Sequence, residues 1–272
     1  MNLKNMALGV TLFVSALALT ACGSSESSDL QKDIKKEGKL VVAVSPDYPP
    51  FEFKTLVDGK DKVVGADISL AQDIADELGV KLEVSTMSFD NVLASLKTGK
   101  ADIAISGLSV TKERQNAYDF SDAYYTTENA ILVRKDDVNK YQELNQFSGK
   151  KVAVQKGSIE EGLAKEQLKD SQIVPLTAMG EAINELKTGV VDAVDLEKPV
   201  AEGYVAQNSD LAIAKVALKV GEGDAKAVAM PKGKGSQELQ KTINKVIAKM
   251  KKDNTYQTYI SDAAKLTGSA VE

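Results

Sequence analysis

Apolar runs of two recurring lengths alternate along the chain and predict an α/β architecture. Leu40 to Val44 is a continuous apolar stretch, the pattern of a strand buried on both faces. From Asp67 to Leu78, the residues Ala71, Ile74, Ala75 and Leu78 recur at helical spacing, and Gly79 is placed to end that helix. Lys81 to Ser85 is strand-like, Asn91 to Thr98 is a short helix stopped by Gly99, and Asp102 to Ile105 is another buried strand. This order of strand, helix, strand, helix, strand predicts a largely parallel sheet.

A second series repeats the first. Lys151 to Val154 reads as a strand, Ser158 to Lys169 as a helix and Ile173 to Leu176 as a strand; Met179 to Thr188 is a helix and Val190 to Val194 a strand. The two series share an echo. Leu96-Lys97-Thr98-Gly99 precedes Ala101-Asp102-Ile103-Ala104, and Leu186-Lys187-Thr188-Gly189 precedes Val191-Asp192-Ala193-Val194. Chance likeness of amphipathic units is the competing account, but a chain this long calls for two units either way. Asn129 to Val133 and Ala214 to Val220 read as paired crossovers, giving one lobe from 38–128 plus 221–272 and a second from 129–220. Ser236 to Met250 carries Leu239, Ile243, Val246, Ile247 and Met250 on one helical face, which packs back onto the first lobe.

The N-terminus has a different pattern. Lys4 precedes an uncharged apolar run from Met6 to Ala21. At about 16 residues that run is short of the roughly 20 a membrane span needs, and it reads as a signal peptide over 1–21. Leu19-Thr20-Ala21-Cys22 resembles a bacterial lipobox, which implies palmitate-type lipid on Cys22 and a membrane-anchored protein on the extracytoplasmic face. An ordinary secretory signal with a chance Cys is the alternative. The Ser-rich, then charged, residues 22–37 read as a flexible tether.

Composition narrows the chemistry. The 272 residues hold 34 Lys+Arg against 39 Asp+Glu, a net charge of −5 with no basic block, so nucleic acid is not an expected partner. There is no His, which removes His general bases, Ser-His-Asp triads and His-ligated metals. The single Cys allows neither an intrachain disulfide nor a Cys-rich metal site. No metal, no cofactor and a monomer are expected.

Ligands of open parallel sheets sit beyond the carboxyl ends of the strands. The turns there are Ser45-Pro46-Asp47-Tyr48-Pro49-Pro50-Phe51-Glu52-Phe53, Ser106-Gly107-Leu108-Ser109-Val110-Thr111-Lys112-Glu113-Arg114, Gln155-Lys156-Gly157-Ser158 and Asp195-Leu196-Glu197-Lys198-Pro199. With the export signal, Gly65-Ala66-Asp67-Ile68-Ser69-Leu70-Ala71 and Asp119-Phe120-Ser121, these segments resemble the polar amino-acid-binding proteins of bacterial ABC importers, solute-binding protein family 3. The likeness runs from about residue 38 to 260 in the family's order, and Ser106 to Arg114 is its most specific piece. It implies a two-lobe, periplasmic-binding-protein-like fold of type II. Each lobe would be a mixed, mostly parallel sheet flanked by helices, with the ligand cleft between lobes.

The resemblance also implies roles. Arg114 matches the residue that pairs with the ligand α-carboxylate, a task suited to a planar, permanently charged fork. Thr111 is placed to cap the helix carrying it. Ser106 and Ser109 match positions that bond the carboxylate and amine, and Gly107 replaces a frequent Ser. Glu197 falls where the family has an Asp for the α-ammonium, with Asp195 as a rival. Tyr48 and Phe89 match aromatics that sandwich the ligand side chain. Ser158 matches a carboxylate-holding position in the second lobe, though Ile159 replaces the usual small polar neighbour. Ser45 stands where many relatives carry an Asp facing the side chain, and Gln155 can reach the side-chain tip. Those two substitutions favour a neutral polar ligand such as glutamine, with arginine and lysine as alternatives. The implied function is capture of a polar L-amino acid and delivery to a membrane permease. No Walker A loop is present, so a separate ATPase would drive transport. An exported dehydratase or transglycosylase on the same fold, and a sensory lipoprotein, are the competing readings.

Overall fold

The computed structural model describes residues 29–221 and 225–267. The signal segment, Cys22 and the start of the tether lie outside them. The rest of the predicted tether is corrected: α1 (Leu30–Glu37) is a helix, capped by the Asp29 carboxylate on the Lys32 N–H at 3.3 Å and closed by Gly38. Leu30 and Ile34 share one face at i,i+4 spacing, and Ile34 is buried in the core.

Strand β1 (Lys39–Val44) leads into an antiparallel meander absent from the predicted series, β2 (Asp47–Tyr48), β3 (Glu52–Val57) and β4 (Lys60–Val64). Then come α2 (Ala66–Leu78), β5 (Lys81–Thr86), α3 (Phe89–Lys97), β6 (Ile103–Ala104), α4 (Lys112–Ala117), β7 (Tyr118–Phe120) and β8 (Tyr125–Thr126). The next elements are β9 (Asn129–Arg134), β10 (Lys151–Gln155), α5 (Ile159–Gln167), β11 (Gln172–Leu176), α6 (Met179–Thr188), β12 (Ala193–Glu197), α7 (Lys198–Gln207) and β13 (Leu211–Ile213). The chain closes with β14 (Ala225–Lys226), β15 (Ala229–Pro231), α8 (Gln237–Lys252) and α9 (Thr255–Leu266).

Two five-stranded sheets result, ordered β5-β1-β6-β15-β7 and β11-β10-β12-β9-β13. In each, the first three strands run parallel and the last two join antiparallel. The sequence echo falls at equivalent places, where α3 precedes β6 and α6 precedes β12. The α/β reading with mixed sheets flanked by helices is therefore observed. At the head of α2, Gly65 has a structural reason: a Cβ there would lie 2.1 Å from the Phe51 carbonyl oxygen.

Three predicted strands shift. Asp102 to Ile105 contracts to β6, and at its start the Asp102 carboxylate, in place of a backbone carbonyl, accepts the Val41 N–H at 2.8 Å. Val190 to Val194 becomes β12, three residues later. Gly189 ends α6 in the left-handed region, and Val190 and Val191 both donate to the Glu185 carbonyl, at 2.9 and 3.3 Å. That turn leaves Val190 52% exposed and brings Asp195 and Glu197 into the strand. Ala214 to Val220 forms no strand. An antiparallel pair forms instead between β8 and β14, with Lys226 opposite Tyr125, while Asn129 to Val133 belongs to β9.

The predicted stripe of α8 is buried at Leu239, Ile243, Val246, Ile247 and Met250. Each such side chain removed from water contributes about 1.5–3 kcal/mol. One buried cluster is continuous from β1 and α2 to Leu132, Met179 and Leu196 beside the second sheet.

Candidate functional site

The carboxyl ends of β1, β6, β10 and β12 face one narrow cleft. It is lined by Tyr48, Phe89, Ser106, Gly107, Ser109 and Arg114 from the first half, and by Gln155, Ser158, Ile159, Glu160 and Glu197 from the second. Nine of the ten predicted ligand-binding residues are thus brought together; Ser45 is outside the lining. Parallel strands make this convergence unavoidable, since each ends at the same edge of its sheet and hands its next residues to a turn.

Arg114 sits on the six-residue helix α4, whose N-terminus is fixed by the Thr111 hydroxyl accepting the Arg114 N–H at 3.1 Å. Its guanidinium donates to the Ser109 carbonyl at 2.8 Å and the Gly157 carbonyl at 3.1 Å, and lies 5.8 Å from the Phe89 ring centre. Burial pulls its pKa below the ordinary 12.5, and no carboxylate forms an ion pair with it among the described residues. Two carbonyls and one ring fix the plane of this guanidinium within the lining.

From the second half of the lining, Glu197 ends β12 and caps α7, with its N–H donating to the Tyr48 hydroxyl at 3.3 Å. One oxygen, Oε1, takes the ammonium of the fully buried Lys226. The other, Oε2, is buried without a hydrogen-bond partner among the described residues. Lys226 also donates to Ser109 Oγ at 2.8 Å. Sequence reading missed Lys226, although a lone cation in the run Ala225-Lys226-Ala227-Val228-Ala229-Met230 was a usable signal.

Asp195, the rival to Glu197, points elsewhere. It is fully buried, neither carboxyl oxygen has a close hydrogen-bond partner among the described residues, and it is not part of the lining. Burial above all, and then the charge of Glu160, push its pKa well above the usual 3.8, opposed only in small part by the neighbouring Asn129 side chain.

Two predicted hydroxyls in the lining are already engaged by protein groups. Ser106 Oγ donates to Glu52 Oε1 at 2.5 Å and accepts the Ser45 N–H at 3.0 Å. Ser158 Oγ caps α5 by accepting the Glu161 N–H at 3.3 Å. Behind the 106–109 turn, Asp67 accepts the Gly107 N–H at 2.7 Å and the hydroxyls of Tyr124 and Tyr256 at 2.9 and 2.5 Å. Burial raises both Asp67 and Glu52, and the neighbouring Asp67 charge lifts Glu52 further, so the pair retains a proton. Gly107 adopts φ 53° in this turn, a conformation that favours glycine.

Bonds between the halves cross near the cleft. Asp47 accepts the Met179 N–H at the start of α6 at 2.8 Å and the Gln155 amide at 3.4 Å, while Ser45 Oγ donates to it at 3.0 Å. Lys156 pairs with Asp90 at 2.8 Å.

The model of the bacterial extracellular solute-binding proteins, family 3, matches residues 40–262. The chain is 37% identical to the arginine-binding extracellular protein ArtP of Bacillus subtilis (strain 168), over 86% of this chain and 87% of that protein. It is 30% identical to the L-cystine-binding protein TcyJ of Escherichia coli (strain K12), over 94% and 95%. A crystal structure of an amino acid ABC transporter substrate-binding protein from Streptococcus pneumoniae Canada MDR_19A, bound to L-arginine, superposes with a TM-score of 0.86 at 54% identity, covering 88% of this chain and 99% of that one. A match across most of the chain, with the turns in the family's order and converging on one cleft, places this protein in family 3 of the bacterial extracellular solute-binding proteins.

Proposed function

We propose that the chain is the binding component of an ABC importer and that it captures L-arginine. The observation that carries the reading is a guanidinium with no ion-paired carboxylate and a carboxylate with one unpartnered oxygen, among the described residues, lining a single cleft. That pair of charges suits the α-carboxylate and α-ammonium of a zwitterion. Arg114 takes the carboxylate, Glu197 the ammonium, and Tyr48 and Phe89 cover the side-chain stem. Ser106, Gly107, Ser109 and Ser158 shape the backbone around the polar end.

The side chain is assigned to arginine rather than glutamine because relatives named as arginine-binding, or solved with L-arginine bound, share 37% and 54% identity with this chain.

In this reading 38–128 with 221–272, and 129–220, are lobes that close on the ligand. Contacts to both walls exist only when closed, so binding shifts the equilibrium by that difference in affinity. The loaded protein docks on a permease, held at the outer face of the membrane by lipid on Cys22, and performs no chemistry. A calorimetric screen of the common L-amino acids tests it, with arginine expected to bind tightest. Nothing tighter than about millimolar would refute the binding role. Glutamine binding tightest would refute the side-chain assignment, and turnover of the bound compound would restore the enzyme alternative.

A further inference from the structure

The anionic wall of the cleft already holds a cation. Lys226 is fully buried on β14, which pairs with β8. It interrupts the apolar run Ala225 to Met230, and its ammonium reaches Ser109 Oγ at 2.8 Å and Glu197 Oε1. Burying an ammonium is costly, and these two acceptors are what sustain it here. Glu197 is also the group assigned above to the ligand's α-ammonium, and Ser109 lines the same cleft. An incoming amine therefore meets a carboxylate that is already neutralised, with only the buried Oε2 lacking a partner among the described residues. The carboxylate-binding wall differs, since Arg114 has no ion pair among the described residues. Glu160, the other acid in the lining, likewise has none, and its charge acts on Arg114.

We propose that Lys226 is a specificity-determining residue: an internal competitor for the α-ammonium position, which makes the pocket select ligands by their α-carboxylate far more strictly than by their α-amine. Two ammonium groups sharing one carboxylate repel each other, so the ligand amine gains less than it would from Glu197 alone. Arginine analogues without the amine are tolerated, and analogues without the carboxylate are rejected. The inference rests on the amino-acid-binding reading.

A thermodynamic cycle tests it. Calorimetry of wild type and Lys226→Met is run with L-arginine and with 5-guanidinopentanoate, which lacks only the amine. In wild type the missing amine costs about tenfold or less in affinity. In Lys226→Met, with both Glu197 oxygens free, arginine binds more tightly and the ratio between the two ligands widens by about tenfold or more. Agmatine, which lacks the carboxylate, binds wild type roughly a hundredfold more weakly than 5-guanidinopentanoate does. An unchanged ratio in the variant overturns the proposal, as does an equal loss of both ligands, which would make Lys226 a scaffold. If circular dichroism shows Lys226→Met unfolded, Lys226→Gln replaces it. The wild-type comparison decides independently, because agmatine binding as well as 5-guanidinopentanoate refutes the claim. Arginine failing to bind wild type would refute the function above as well, whereas arginine binding without coupling refutes only this inference.

Discussion

Asp195→Asn should make the protein more stable at neutral and alkaline pH. The residue lies within β12, opposite Ile131 on one side and Val154 on the other, with no exposure and no close hydrogen-bond partner for either carboxyl oxygen among the described residues. Burial raises its pKa well above 3.8, the charge of Glu160 adds to that, and the neighbouring Asn129 side chain offsets only a small part. The folded state therefore holds a proton that the unfolded chain releases as the pH climbs past 3.8. Below that value both states are protonated and burial carries no ionic cost. Above it the unfolded chain ionises first, so stability falls with rising pH until the folded carboxyl ionises too. Each tenfold difference in proton affinity is worth about 1.4 kcal/mol, and each kcal/mol moves the melting temperature of a domain this size by roughly 2–4 °C. Asn has nearly the same shape and no charge, so it escapes this loss. Melting curves of the ligand-free proteins between pH 4 and 8 measure it. At the acid end the variant should match wild type or melt slightly lower, and the gap should open in its favour as pH rises. Glu160→Gln should narrow that gap. A pH-independent difference, or wild type gaining on the variant toward alkaline pH, would refute the reasoning.

Three further outcomes are expected. Arg114→Lys keeps a charge but not a fork that can hold the Ser109 and Gly157 carbonyls and a carboxylate together; the loss of a charge-assisted bond, about 1.5–3 kcal/mol, should weaken arginine roughly 10–150-fold by calorimetry. Asp47→Ala removes the acceptor for the Met179 N–H between the halves. With a helix cap worth about 0.5–2 kcal/mol, affinity should fall roughly 2–30-fold, and small-angle scattering of the ligand-free protein should show a larger radius. Gly107→Ala forces a Cβ into φ 53°, at about 1–2 kcal/mol, and should lower the melting temperature by roughly 2–8 °C; an unchanged melt would refute the strain.

The sequence shows where the site is more clearly than which atoms form it. Buried parallel strands leave long apolar runs, and the ends of those runs mark the edge where polar groups emerge, so Tyr48, Arg114, Gln155 and Glu197 could be read as neighbours. Hydroxyl orientation carries no such local signal. Ser106 turns inward because Glu52, 54 residues away, accepts from it, and Ser158 turns to its own helix. The meander β2–β4 was missed for a related reason. Its first strand has two residues and its last is largely exposed, so no apolar run announces it. The start of β12 moved because Gly189 and the Glu185 carbonyl hold residues 190–192 in a turn that hydrophobicity alone reads as strand.

Pairing between distant charges is the part that local patterns hide most completely. Glu197 read alone is a free anion facing a zwitterion; with Lys226, 29 residues later, it is a half-occupied one. Arg114 read alone is a surface cation; in the fold two carbonyls and a ring orient it, and no acid neutralises it through an ion pair among the described residues. The two walls are therefore unequal in available charge, though single-residue matching treats them as equal partners. Selectivity among ligands follows that inequality, since a group on the ligand gains most where the protein has left its counter-charge unmet.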